Sequence, residues 1–280
     1  MNQPQTLGRR ALQLTIIYAL LIATALFLLF PLLYGLAISF MTADEITVYP
    51  PKFLPNGLNL TSYQTVLSRL PIPRYLLNSL LISTTVMIGQ LITASLAAYA
   101  FAIRRFRGRG LIFGLFLSTL MIPWEVTLIP NFQTVQAWGW TDNYLSLIAP
   151  FTATAFGTFM LRQFFLTIPQ ELHDAATIDG CGSLRYLIQI VLPLSRPALG
   201  TLAIYGFLQT WNQFLWPLLV TNQKEMRTIQ IGLNYLLNEE TISFNNTMAG
   251  VMLAIIPTVL LLIIGQRQLV RGLTAGAVKG

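Results

Sequence analysis

What constrains this chain most is a set of long stretches without charge. Residues 11–40 hold no Asp, Glu, Lys or Arg, and neither do 75–103, 110–124, 143–161, 197–223 or 241–266. A helix needs about 20 apolar residues to cross the hydrocarbon of a bilayer. Inside lipid the backbone must satisfy its own polar groups, which leaves helices or closed barrels. Runs this long suit helices. Charged residues make up 10% of the chain, well under the ~25% usual for a soluble domain, and mean hydropathy is +0.63. The sequence therefore predicts an all-α, polytopic membrane protein with six transmembrane helices. They are expected near 12–38, 76–102, 110–131, 144–162, 198–219 and 246–266, within one transmembrane domain over 1–280. The first run is too long for the apolar core of a signal peptide, and no small-x-small cleavage site ends it.

Charge orients the bundle. Of 17 Lys and Arg, one side collects Arg9, Arg10, Arg104, Arg105, Arg107, Arg109, Arg162, Arg185, Arg196, Arg267, Arg271 and Lys279. The other side holds Lys52, Arg69, Arg74, Lys224 and Arg227. The positive-inside rule puts the richer side, and both termini, in the cytoplasm. The basic run at 104–109 contains Phe106, as nucleic-acid patches do, but it lies between two spans, where topology and lipid headgroups account for it. No nucleic-acid partner is expected. The outer loop 41–73 is rich in proline and reads as a compact cap with a short helix near Ser62–Leu70. A second short helix is expected at Ile229–Leu237.

Between spans four and five lies a cytoplasmic stretch, 163–197, of unusual polarity. It contains "ELHDAATIDGCGSLRYLIQIVLPLSRP". Thr167 and Gln170 have the spacing of a capping box, and Pro169 falls in the first turn, where a missing N–H costs little. The helix that follows is expected to end at Gly180 in a left-handed conformation. Leu172, Ala175, Ala176 and Ile178 are placed to share a face, with Glu171, His173, Asp174 and Asp179 on the rest. So short a helix is marginal alone and must dock on something. Either this is an ordinary interfacial loop, or it is a knob shaped for a partner's groove. A second helix runs from Ser183 to about Val191 and returns the chain to the membrane at Pro193. Cys181 reads as a packing residue, and one cysteine permits no internal disulfide. His173, the single histidine, has no second ligand near it and is assigned neither metal nor catalysis.

The spacing of Asp174, Ala175, Ala176, Gly180, Ile190, Leu192 and Pro193 resembles the EAA loop of ABC importer permeases, with Asp in place of the first Glu. The likeness extends to "MIPWEVTLIP" at 121–130, "FFLTIP" at 164–169, "IDG" at 178–180 and "WNQFLWPL" at 211–218. Over about 10–275 the chain is similar to MalG-like permease subunits of carbohydrate importers, nearest the branch serving glycerol-3-phosphate and oligosaccharides. The resemblance implies a bacterial inner-membrane subunit that pairs with a second, homologous permease chain, two ATP-binding subunits and an external solute-binding protein. It implies that 163–197 is the coupling loop, with Glu171, Leu172, Asp174, Ala175, Ala176, Asp179, Gly180, Ile190, Leu192 and Pro193 as ATPase-coupling residues. ATP would be bound by the partners. This chain has no GxxxxGK[ST] loop and no Cys/His cluster, so it is expected to be no enzyme and to need no cofactor.

Several polar groups sit inside the apolar runs. Glu125 lies between Pro123 and Pro130, and an ionisable group there faces protein or water. It either lines the translocation pathway or satisfies groups near the outer edge of a bent helix. Gln209, Trp211, Asn212 and Gln213 combine amides with an aromatic ring, which suits a sugar pathway. The same pattern also serves as helix–helix glue. Asn78, Gln90 and Asn131 are weaker candidates of this kind. Gly89, Ala94, Ser95, Ala97 and Ala98 make a small-residue packing seam. Spans two to five carry no mid-depth cation, which favours a neutral sugar over a phosphate ester. Two rival readings stand beside the importer subunit: a secondary carrier working alone, and a non-transporting assembly subunit.

Overall fold

The computed structural model describes residues 7–238 and 243–274. Lys279 lies outside the described residues, and of Arg9, Arg10, Arg267 and Arg271 only the backbone is described. The chain divides into two units. One comprises the residues up to Leu70 with Tyr235–Leu253, the other Pro71–Asn234 with the residues from Ala254 on.

In the first unit, α1 runs over Leu7–Ser39, α2 over Ala43–Thr47 and α3 over Thr61–Arg69. From 12 to 33 every side chain of α1 is exposed in the isolated chain. Its outer end is tied by polar contacts. The Ser39 hydroxyl pairs with that of Tyr63 at 2.8 Å, and buried Asn245 donates to the carbonyl of Met41 and to Ser62 Oγ.

The second unit is built on α4, Ile72–Ala102. After it come α5 (Arg109–Ser118), α6 (Trp124–Ala137), α7 (Tyr144–Ile148), α8 (Ala155–Phe165), α9 (Gln170–Ile178), α10 (Ser183–Tyr186), α11 (Leu192–Leu194), α12 (Arg196–Trp211) and α13 (Leu215–Val220). Helices α14 (Ile229–Asn238) and α15 (Phe244–Thr274) contribute to both units. The expected small-residue seam forms. Ala94, Ser95 and Ala98 are buried where α4 meets α8 and α12. A methyl on Gly89 would meet the Thr152 side chain at 2.9 Å. Close backbone approach is how apolar helices gain packing energy when lipid is as apolar as they are. Gln90 and Asn78 act as glue. Gln90 Nε2 donates to the Phe151 carbonyl, while Asn78 donates to the carbonyls of Glu225 and Arg227 and accepts from the Tyr144 hydroxyl.

Six runs of membrane-spanning character are present among the described residues, but only three are continuous: Leu12–Ser39, Ile72–Ala102 and Phe244–Gln266. The others are bent pairs. Arg109–Met121 and Trp124–Ala137 meet at 96°, Tyr144–Phe151 and Ala155–Phe165 at 40°, and Ser183–Leu194 and Arg196–Trp211 at 83°. The expected single spans at 110–131 and 144–162 are corrected to that extent; the third bend falls before 198, and the expected span 198–219 is instead interrupted at 212–214, between α12 and α13. Pro123 explains the first break: proline disfavours helix in the residue before it, and Ile122 is extended at ψ 114°. The two short helices in the outer loops form as expected, at Thr61–Arg69 and Ile229–Asn238.

Candidate functional site

The stretch 163–197 folds into two short arms, α9 and the continuous run Ser183–Leu194. The capping box expected of Thr167 and Gln170 does not form. Thr167 instead turns back, its hydroxyl donating to the Phe164 carbonyl at 2.7 Å, and Pro169 occupies the N-cap of α9 without a side-chain cap. Gln170 reaches forward to Asp174 Oδ1. The far end forms as the sequence predicts. Gly180 sits at φ +71°, its N–H donates to the Thr177 carbonyl, and the Cys181 N–H donates to that of Ala176 at 2.8 Å. This paired pattern is a Schellman motif, which a glycine in the left-handed region closes at least cost.

The predicted shared face is corrected. Only Ala176 is buried, packed among Tyr99, Phe165, Tyr186 and Leu187. Leu172 and Ala175 point outward, and Ile178 is 86% exposed. Glu171, Asp174, Asp179 and Gly180 are exposed as well. Ala176 is the one fully buried side chain of α9, so the helix axis lies close to the core, while Leu172, Asp174 and Ile178 stand free. His173 is half-buried and meets the Tyr186 ring edge-on at 5.0 Å, and Cys181 packs at the rim of the same cluster.

The second arm winds differently from expectation. After α10 the backbone forms a π-turn over Leu187–Val191 before α11. Pro193 supplies the cause. In a regular helix it would leave the Gln189 carbonyl unbonded and clash with it, and the wider π-turn relieves both. Ile190 and Leu192 pack against the core, whereas Pro193 is exposed.

Arginines read from the sequence only as topology markers hold this end together. Arg104 donates to Ser183 Oγ at 2.9 Å, and Arg109 reaches the Arg104 carbonyl. Arg162 donates to the Phe101 carbonyl at 3.1 Å and lies 4.3 Å over the Phe113 ring. The carbonyls at the end of α4 carry the negative pole of that helix, where cations are favoured.

A second set of polar groups gathers where α12 ends. Asn212 is its C-cap, donates to the Leu208 carbonyl and accepts from Gln230 of α14. Gln213 and Phe214 then form a helix break before α13. Gln209, exposed, donates to the Tyr205 hydroxyl at 2.9 Å. Tyr205 stacks near Phe156. Neither Tyr205 nor Gln230 was singled out from the sequence, although the four-residue interval between Tyr205 and Gln209 is the spacing of neighbours on a helix. Trp211 does not join the polar face. It is 2% exposed and stacks on Phe207 at 5.6 Å. Trp216 is buried too, its indole N–H donating to the Ser146 carbonyl. Glu125 stands exposed in the first turn of α6, where a carboxylate complements the positive pole of the helix. Among the described residues no three His, Cys, Asp or Glu side chains are placed to hold a metal.

Residues 90–275 match the family described as binding-protein-dependent transport system inner membrane component. Among curated relatives, the sn-glycerol-3-phosphate transport system permease protein UgpE of Agrobacterium fabrum is 35% identical, covering 94% of this chain and 97% of the relative. UgpE of Brucella abortus is 35% identical over 91% of this chain and 94% of its own length. In fold the chain resembles a crystal structure of a bacterial ABC transporter involved in the import of the acidic polysaccharide alginate. The TM-score is 0.82, with coverage of 95% of this chain and 99% of that one, at 23% identity.

Proposed function

The chain belongs to the family of binding-protein-dependent transport system inner membrane components, and on that premise we propose that it forms half of the pathway of an ATP-driven importer of a sugar or related polyol. Residues 1–280 then act as one permease domain, with 163–197 as its coupling loop. The partners are a second homologous permease, two ATP-binding subunits and an external solute-binding protein. The observation that carries this reading is α9: a helix anchored through Ala176 and half-buried His173, closed by Gly180, and presenting Leu172, Ala175 and Ile178 to the outside. Exposed apolar side chains on a small polar helix fit a groove in another protein. Glu171, Asp174 and Asp179 give the contact its charge, while Ile190, Leu192 and Pro193 join it to α12.

The pathway is assigned to Gln209, Asn212 and Gln213, joined by Tyr205 and Gln230. Trp211 and Glu125 are assigned to the pathway with them, Trp211 from its buried stack on Phe207 and Glu125 from the exposed first turn of α6. These groups are uncharged apart from Glu125 and suit a solute dense in hydroxyls. The A. fabrum and B. abortus relatives are named for sn-glycerol-3-phosphate transport, so the polyol class extends to its phosphate esters.

The test is a pair of variants, Ala175→Glu and Gly180→Pro, purified from membranes with the partner permease. Both are expected to remain inserted and to lose the ATP-binding subunit, with uptake abolished. Retention of ATPase and of uptake in both would refute the coupling assignment.

A further inference from the structure

We propose that the cavity between the end of α4, α9 and the start of the second arm binds a phosphate-type oxyanion. The cavity measures about 240 Å³, well above the ~30 Å³ share of one water. Tyr99 of α4 and Arg104 just beyond it line one wall, His173 of α9 a second, and Cys181, Ser183 and Tyr186 a third. All of them lie in the second unit.

Tyr99 carries the argument. It is 7% exposed, its ring packs against that of Tyr186 at 6.4 Å, and its hydroxyl is buried without a hydrogen-bond partner in the protein. Buried hydroxyls are rarely left so, and this tyrosine borders the cavity. His173, held edge-on to Tyr186, also buries Nδ1 without a hydrogen bond, 3.7 Å from Asp174 Oδ1. That nitrogen faces its own neighbour and is not counted as a donor to the cavity.

Charge and donor type select the ligand. Arg104 brings a permanent cation, and among the described residues no carboxylate lines the cavity. A guanidinium has five N–H donors, one of which goes to Ser183 Oγ at 2.9 Å. Having accepted there, Ser183 keeps its own O–H to donate. The Arg104 carbonyl accepts from Arg109 at 3.1 Å, which fixes the backbone that carries the guanidinium. A fixed cation flanked by hydroxyl donors suits an anion with several oxygens. A metal cation is repelled by Arg104, and a neutral sugar leaves the charge unmatched. An oxyanion bonded to Tyr99, Arg104 and Ser183 ties the end of α4 to the arm that follows α9. Free phosphate and a lipid headgroup share this chemistry.

Cys181, the single cysteine, lies on the cavity wall and reports occupancy. In the whole complex in phosphatidylcholine nanodiscs it is alkylated with uncharged N-ethylmaleimide and quantified by mass spectrometry, with hydrogen exchange over 173–186 read in parallel. Inorganic phosphate at constant ionic strength is expected to slow both saturably, and chloride neither. Arg104→Gln and Tyr99→Phe are each expected to raise the half-saturating phosphate about tenfold, as loss of one hydrogen bond to a charged group does. Discs of phosphatidylglycerol separate the sources. Slowing already present there, and released in Arg104→Gln, assigns the site to a headgroup; slowing that still needs added phosphate assigns it to the free ion. Slowing by neither, or slowing that both variants leave unchanged, would overturn the proposal. So would a thiol that reacts only after the ATP-binding subunits are stripped, in favour of a side chain of those subunits seated in the cavity. The coupling assignment stands apart, since it is read by ATPase retention in Ala175→Glu.

Discussion

At Gly180 the backbone stands at φ +71° with no atom within 4 Å of where a Cβ would sit. A substitution there meets strain rather than a clash. Gly180→Ala is expected to cost about 1–2 kcal/mol, the usual penalty of the left-handed region for a side-chain-bearing residue. Gly182→Ala, two residues on at φ −66° and equally uncrowded, is expected to cost little, and comparing uptake and ATPase co-purification of the two variants separates backbone geometry from mere change of residue. Glu45 gives a pH-dependent counterpart outside the membrane. The backbone N–H of Thr42, then that of Asn56, donate to its carboxylate and hold its carboxyl below the usual range, with Lys52 adding to the effect. A depressed pKa means the carboxylate stabilises the cap at all pH above the ordinary carboxylate value, and that support fades as pH falls through the lowered one. Hydrogen exchange in 42–56, corrected for its intrinsic pH dependence, is expected to accelerate only in that acid window. Glu45→Gln is expected to flatten the response.

Among the elements, α4 has the least room to change. Ala98 is fully buried in the seam, so Ala98→Leu inserts three carbons where backbones approach closely. Overpacking of this kind costs typically ~1–3 kcal/mol, and a lowered melting temperature of the detergent-solubilised complex is the expected reading. The existence and order of the apolar runs were legible because hydropathy reports which residues avoid water. The bends were not, because hydropathy is blind to backbone direction. Pro123 and Pro130 marked one of the places without giving the angle. In α9 the glycine stop was legible from residue type alone. Which face docks was not, since Ala176 and Ile178 are two apolar residues that only the neighbouring Tyr99 and Tyr186 tell apart. Thr167 misled because the helix begins two residues later, with Pro169 as its N-cap, and leaves the Thr167 hydroxyl to donate to the Phe164 carbonyl. Tyr205 was missed because a tyrosine in an apolar helix gives no signal until its hydroxyl is seen to meet Gln209.

For the molecule as a whole, the proposed function makes ATPase coupling at α9 and solute contact on α12 separate tasks. Gln209→Ala and Asn212→Ala together are expected to depress uptake severalfold while leaving ATPase co-purification intact, the reverse of the Ala175→Glu phenotype. Uptake should stop when ATP is depleted and persist when a protonophore collapses the ion gradient; the opposite pattern would favour a carrier working alone. The 83° elbow between Ser183–Leu194 and Arg196–Trp211 has a mechanical meaning for this division. Two arms joined nearly at right angles have the geometry of a bell crank. The arm before the elbow spans 12 residues, about 18 Å at helical rise. On the proposed coupling role, a swing of that arm about the Ser195 corner would reach the other arm as a tilt, turning a sideways push into a stroke across the bilayer.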